Sequence, residues 1–171
     1  RLPGVQILIA GGGDVYDELK AKADAVNNAA GRRIVTMTGP RTDVSEIIAA
    51  GDIFINVSRS ALEAMASEKP VILAGNEGFI GLLSPENLDA ARKSNFCCRG
   101  FPMPTEERLL EEIIRCFSMP PAERALLGAL ERNYILSNYS VGRMAGDSLR
   151  AYEAVRKRKY NVVMSGYYGF G

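Results

Sequence analysis

Apolar positions along this chain follow two rhythms. Short runs rich in β-formers, Val5 to Ala10, Arg33 to Thr38, Ile53 to Val57 and Pro70 to Ala74, alternate with stretches of helical period. Those stretches are Val15 to about Asn28, Val44 to Ala50 and Ser60 to Ser67, and in the first of them Leu19, Ala23 and Val26 share one face. The links are only a few residues long, which predicts parallel strands joined by crossover helices. Asp14 is expected to cap the first helix, and Gly51 to end the second in a left-handed conformation. Asn95 to Arg99 is expected to add one more strand. After Pro102 the pattern turns helical throughout, over Glu106 to Phe117, Pro121 to Leu136 and Val141 to Lys159. Pro120-Pro121 and Asn138-Tyr139-Ser140 separate these helices, with Ser140 as the expected cap of the last. The fold class is therefore α/β: an open parallel sheet flanked by helices, with a helical C-terminal part.

Composition narrows the chemistry. The 171 residues suffice for one α/β domain, or for one domain and the start of another. Twenty-one basic and 20 acidic residues leave a net charge of +1, which provides no electrostatic footprint for nucleic acid. Histidine is absent, so an imidazole base, a His-ligated metal and a Ser-His-Asp triad are excluded within this chain. Cys97, Cys98 and Cys116 form neither a disulfide framework nor a zinc spacing; they read as buried small hydrophobes in a reducing compartment. No uncharged apolar run approaches the roughly 18 residues of a membrane span, and no signal peptide is recognisable. A cytoplasmic protein without metal is expected.

Both ends read as cut. The chain opens at Arg1 and enters a strand almost at once. It closes on Tyr160 to Gly171, a strand-like run into a glycine turn. We therefore expect residues 1–159 to form one domain and 160–171 to begin another. The basic run Arg156-Lys157-Arg158-Lys159 reads as a solvated helix end that favours the C-terminal dipole. A peripheral contact with acidic headgroups at the inner face of a membrane is its second reading.

Three loops are candidates for chemistry. Gly11-Gly12-Gly13-Asp14 joins a strand to a helix, where glycines admit a ligand to the backbone and helix-start amides favour anions. Tyr16 stands where the dinucleotide fingerprint needs its third glycine, so a plain βα turn is an equal reading. Around Asn56 to Ala66 a strand feeds a helix near Ser60, with Arg59 beside the helix start and Glu63 one turn in. That carboxylate could take two hydrogen bonds from a vicinal diol such as a ribose. Ser60-x-x-Glu63 is equally a capping box. Gly75 to Gly81 reads as an accessible glycine-rich loop at a strand's carboxyl end, where ligands lie in open α/β sheets.

Asp52-Ile53-Phe54-Ile55-Asn56-Val57-Ser58, followed by Leu62-Glu63-Ala64-Met65-Ala66-Ser67-Glu68-Lys69-Pro70-Val71-Ile72, resembles the donor half of retaining GT-B glycosyltransferases of the family-four (group 1) type. Ile7 to Gly13 and Thr38-Gly39 match that half in order and spacing, and the likeness runs from about Gly4 to Leu83. The resemblance implies a Rossmann-like half of a GT-B fold and a nucleotide-diphosphate sugar as donor substrate, with no cofactor. It implies that Glu63 holds the ribose, that Gly11, Gly12 and Gly13 line the donor cleft, and that Gly39 to Arg41 lie near the base. Ser58, Arg59, Ser60 and Asn76 complete the expected binding set; no catalytic residue is assigned. Ile55 stands where the family has an earlier glutamate, and the loop that follows is shortened to Ser58-Arg59-Ser60. The diphosphate-neutralising Arg/Lys pair and the acceptor-binding half are not in this chain. Without them the cleft neither excludes water nor positions an acceptor, so no turnover is expected from the chain alone.

Val162 to Gly171 resembles the first strand and glycine turn of polysaccharide pyruvyl transferases. That likeness implies a parent chain fusing the two modules in surface-glycan assembly. The competing readings are a non-catalytic glycosyltransferase-like domain that scaffolds the pyruvyl transferase or binds glycan, and another Rossmann-type binder such as an epimerase.

Overall fold

A computed structural model describes residues 4–157, in two compact units. The expected tail at 160–171 lies outside the described residues.

The first unit runs to Ile135. It opens with β1 (Ile7–Ala10), α1 (Tyr16–Ala30) and β2 (Val35–Gly39), and β1 pairs parallel with β2. Asn27 ties the helix to the second strand: its Oδ1 accepts from the amides of Ile34 and Val35 at 2.7 and 2.9 Å, and its Nδ2 donates to the Val35 carbonyl at 2.8 Å. The expected Asp14 cap is not made. α1 starts one residue after Val15, which offers no capping oxygen.

Next come α2 (Val44–Ala50), β3 (Phe54–Asn56), α3 (Ser58–Ala66) and β4 (Val71–Gly75), with β3 and β4 parallel. Gly51 ends α2 at φ −85°, an extended rather than left-handed turn, because the chain goes straight on toward β3. α3 lies close to the sheet through Ala61, Ala64 and Met65, all fully buried at positions one turn apart. β4 is buried on both faces. Val71 and Leu73 join Ala61, Ala64 and Met65, whereas Ile72 packs with Phe79, Leu82 and Cys116.

Two expectations fail beyond β4. The stretch from Gly75 to Gly81 is not an open loop. β4 turns through Asn76-Glu77 into an antiparallel β5 (Gly78–Leu82), with Phe79 only 3% exposed. Burial of Phe79 and Leu82 under α5 gives that strand its core. Asn95 to Arg99 is not a strand either. It follows a short α4 (Leu88–Lys93) as a run of turns, with Asn95, Phe96 and Cys98 at φ +53°, +56° and +61°. The hydrogen-bonded order is thus β1-β2 and β3-β4-β5, parallel apart from the terminal hairpin strand.

α5 (Glu106–Ser118) and α6 (Pro121–Tyr139) follow, near their expected bounds. Thr105 caps α5 by accepting the Arg108 amide at 3.3 Å. α6 grips the α3–β4 connection: Gly128 packs on the Glu68 carbonyl, Arg132 donates to the Ala66 carbonyl at 2.6 Å, and Glu131 accepts from the Val71 amide at 3.5 Å. Burial pushes the thiols of Cys98 and Cys116 up, Cys116 to about 11, so both behave as inert packing groups. Cys97 is only half-buried.

The second unit begins at Leu136 and contains α7 (Val141–Lys157). Ser140 caps it as expected, accepting the Arg143 amide at 3.3 Å. Asp147 pairs with both Arg143 and Arg150. Among the described residues no helix is long and apolar enough to cross a membrane.

Candidate functional site

The carboxyl ends of β1 and β2 bring together the first set of expected residues. The Gly11 amide donates to the Gly39 carbonyl at 3.0 Å, so the loops after the two strands are fastened to each other. Gly12 lies so near Pro40 that a Cβ there would meet the ring at 2.8 Å. Gly13 and Gly39 hold φ of +128° and +71°, conformations that suit glycine. Beside them Arg41 donates from Nε to Asp43 Oδ1 at 2.8 Å and from Nη2 to Oδ2. The guanidinium's hydrogen bonds hold the Asp43 carboxyl below its usual range.

The second set stands at the carboxyl ends of β3 and β4. Asn56 Oδ1 accepts the Val57 amide at 2.9 Å, and Ser58 opens α3 at φ +59°. The Ser58 amide donates to the Phe96 carbonyl at 2.7 Å. Arg59 and Glu63 project from the helix face opposite Ala61, Ala64 and Met65, and Arg59 Nε donates to Glu63 Oε1 at 3.3 Å. Their side chains are 89% and 45% exposed. Glu63 Oε2 has no hydrogen-bond partner among the described residues. Gly75 packs on the Val57 side chain, which places the exposed Asn76 at the hairpin tip next to the start of α3. No hydrogen bond or ion pair joins a residue of one set to a residue of the other among the described residues.

The capping-box reading of Ser60 and Glu63 does not hold. α3 starts at Ser58 with Val57 as its N-cap, three residues early for that box, and its first residue takes its partner from Phe96 instead. Ser60 Oγ donates back to the Val57 carbonyl at 3.0 Å, and the Glu63 carboxylate faces Arg59.

Residues 95–101 are the part of this rim that the sequence pattern did not reveal. Their turn lies on the hairpin so closely that a side chain at Gly78 would strike the Cys98 and Phe101 carbonyls. Arg99 grips Glu77 through two bonds of 3.1 and 3.0 Å. Non-glycine residues at positive φ are costly, and they persist where surrounding contacts over-determine them. Three of them in this turn and a fourth at Ser58 meet at one place on the rim. Asn95 and Gly100 were the local turn signals, and the apolar Phe-Cys-Cys run between them masked both.

Two clefts of about 240 and 230 Å³ lie elsewhere, beside α6. They share Ser84, Pro85, Leu127 and Leu130, next to the amino end of β4, whereas the polar rim groups stand at its other end. The described residues hold no group of three His, Cys, Asp or Glu side chains able to bind a metal. An exposed guanidinium beside an exposed carboxylate at the carboxyl end of β3 suits a ligand that carries both anionic groups and hydroxyls.

The profile of the family described as "Glycosyl transferases group 1" matches residues 1–94, more than half of the chain. The chain belongs to the group 1 glycosyl transferases. No curated protein matches the sequence. Among solved structures, the chain is similar to an S. aureus TarM mutant crystallised in complex with fondaparinux, alpha-GlcNAc-glycerol and UDP. The identity is 18% and the TM-score 0.53, over 86% of this chain and 29% of that one. That likeness establishes a GT-B glycosyltransferase fold for the chain, which spans under a third of its structural relative. Every expected site residue of this group 1 glycosyl transferase, from Gly11 to Asn76, falls inside the stretch matched by the family, and Arg99 lies just beyond it.

Proposed function

We propose that this chain is the donor-binding half of a glycosyltransferase of cell-surface polysaccharide synthesis, and that its ligand is a nucleotide-diphosphate sugar. The observation that carries the reading is Glu63: a solvent-reached carboxylate at the carboxyl end of β3, with one oxygen on Arg59 and the other unpartnered among the described residues. In this reading Glu63 takes the ribose hydroxyls. Gly11 to Gly13 line the cleft, Gly39 and Arg41 flank the base, and Ser58, Arg59, Ser60 and Asn76 surround the diphosphate and sugar. The presence of UDP with the TarM mutant supports a nucleotide ligand. The donor needs no metal or cofactor here, because backbone amides and guanidinium groups stabilise a leaving diphosphate electrostatically.

The wider assignment belongs to the same proposal. Turnover requires a second, acceptor-binding half that closes the cleft, so the chain alone is inactive. The tail's likeness to pyruvyl transferases supports a following domain in the parent protein as part of this reading. In this reading the parent works in the cytoplasm, and the basic run after Val155 is a solvated helix end, with contact to acidic headgroups at the inner face of the membrane as its second reading.

Calorimetric titration with UDP and GDP tests the reading. The chain should bind one of them, and Glu63→Ala should abolish that binding. A wild-type chain that binds neither removes the donor assignment.

A second reading has its own support. β3 passes into α3 through Val57 alone, which leaves no room for a sugar-contacting loop, and Ile55 occupies the strand where the family has a glutamate. A glycosyltransferase-like domain that scaffolds the pyruvyl transferase or binds glycan fits that junction, and it predicts glycan binding without nucleotide binding.

A further inference from the structure

On the rim, Arg59 and Glu63 are two groups suited to adjoining parts of one nucleotide, its diphosphate and its ribose, and they are bonded to each other. We infer that this pair makes the site selective for a nucleoside diphosphate over the bare nucleoside, because Arg59 occupies Glu63 until a diphosphate draws the guanidinium away. The inference rests on the donor reading above and concerns the specificity of that same site.

The geometry assigns separate tasks to the atoms involved. Arg59 reaches Glu63 Oε1 through Nε at 3.3 Å, so the two Nη groups take no part in the bond. Those groups form the end of a planar fork that matches phosphate oxygens. Glu63 is left with Oε2 alone. A vicinal diol is held best when each hydroxyl donates to its own carboxylate oxygen, so the paired state can offer a ribose only half of its grip.

Exchange of partners is easy here for three reasons. The pair is solvent-exposed, with side chains at 89% and 45%, and such pairs contribute little. A diphosphate carries more charge than a carboxylate and meets Arg59 in the first turn of α3, where the helix dipole also favours an anion. The backbone need not move: Ala61, Ala64 and Met65 anchor the opposite face in the core, and the Phe96 carbonyl holds Ser58. Rotation of two side chains suffices. Once the diphosphate holds Arg59, both oxygens of Glu63 face the ribose, so binding of the diphosphate strengthens binding of the ribose.

The consequence is a crossover that simple loss of a contact would not produce. The 171-residue chain is titrated by ligand-observed NMR with uridine, UMP and UDP, and with the guanosine series, as wild type and as Arg59→Ala. On the base that binds, Arg59→Ala should weaken the diphosphate roughly tenfold, as expected for loss of a charge-assisted bond. It should tighten the bare nucleoside about twofold, the scale of an exposed ion pair. Arg59→Gln should give the same crossover and serves if the alanine variant fails to fold. A nucleoside affinity that does not rise, or a diphosphate affinity that does not fall, overturns this inference alone. A wild-type chain that binds no nucleotide overturns it together with the donor assignment.

Discussion

The carboxyl of Glu131, on α6, lies against the Val71 amide where β4 begins, and its second oxygen is buried without a partner among the described residues. The residue is 4% exposed, and burial pushes its pKa from the ordinary 4.5 up to about 9, against the opposing pull of the Val71 hydrogen bond. In the folded chain the group is therefore a neutral acid near neutral pH.

Stability should fall as pH rises through the window between those two values. The unfolded chain releases this proton near 4.5 and the folded chain retains it to about 9, so raising pH favours the unfolded state. At pH 7 the difference amounts to roughly 3 kcal/mol. Glu131→Gln keeps an acceptor for the Val71 amide and removes the proton, so its Tm should stay nearly level from pH 5 to 9 while that of the wild type drops. Parallel curves for the two proteins would contradict the account.

Gly128 lets α6 sit directly on the Glu68 carbonyl, where a Cβ would collide with backbone rather than with a movable side chain. Gly128→Ala should cost about 1–3 kcal/mol by overpacking, although alanine is the better helix former. Urea unfolding gives the sign: a stabilised variant would show that α6 does not grip the α3–β4 connection.

Asn27 makes three hydrogen bonds to the edge of β2, two as acceptor and one as donor. Asn27→Ala leaves the amides of Ile34 and Val35 without that partner and should destabilise the fold by about 1–3 kcal/mol. Hydrogen exchange should quicken at those two amides before it quickens in β4. Unchanged protection there would mean that solvent replaces the side chain at no cost.

Gly78 holds φ +154° beneath the Cys98 and Phe101 carbonyls. Gly78→Ala should therefore lift the turn at 95–101, break the Arg99–Glu77 pair and release Ser58 from Phe96. The readout is faster alkylation of Cys98, whose thiol is buried in the native fold. A rate equal to that of the wild type would show that the turn is held from elsewhere.

Elements whose faces repeat at a regular period were readable from the chain itself. α2 begins and ends where its pattern placed it, from Val44 to Ala50, and β4 differs by one residue at each end. Their apolar spacing follows directly from which face meets the core. Arg59 and Glu63 were readable only as separate ligand contacts; that they bond to each other, four residues apart on one helix face, came from the folded chain. That Ser58 opens the helix, and so removes the capping box, was not readable: its partner is a carbonyl 38 positions away along the chain.

Local periodicity, glycine placement and the motif around Glu63 thus determined the strand–helix alternation and the group 1 family. The three-dimensional packing decided the antiparallel hairpin at Gly78, the strained turn at Phe96 and the neutral acid at Glu131. Each of those depends on contacts between segments distant in the chain: the Cys98 carbonyl over Gly78, the Phe96 carbonyl at Ser58, and α6 against Val71. A local pattern records which face of a segment is apolar. It does not record which backbone carbonyl will arrive there, and the conformation of these residues was settled by that arrival.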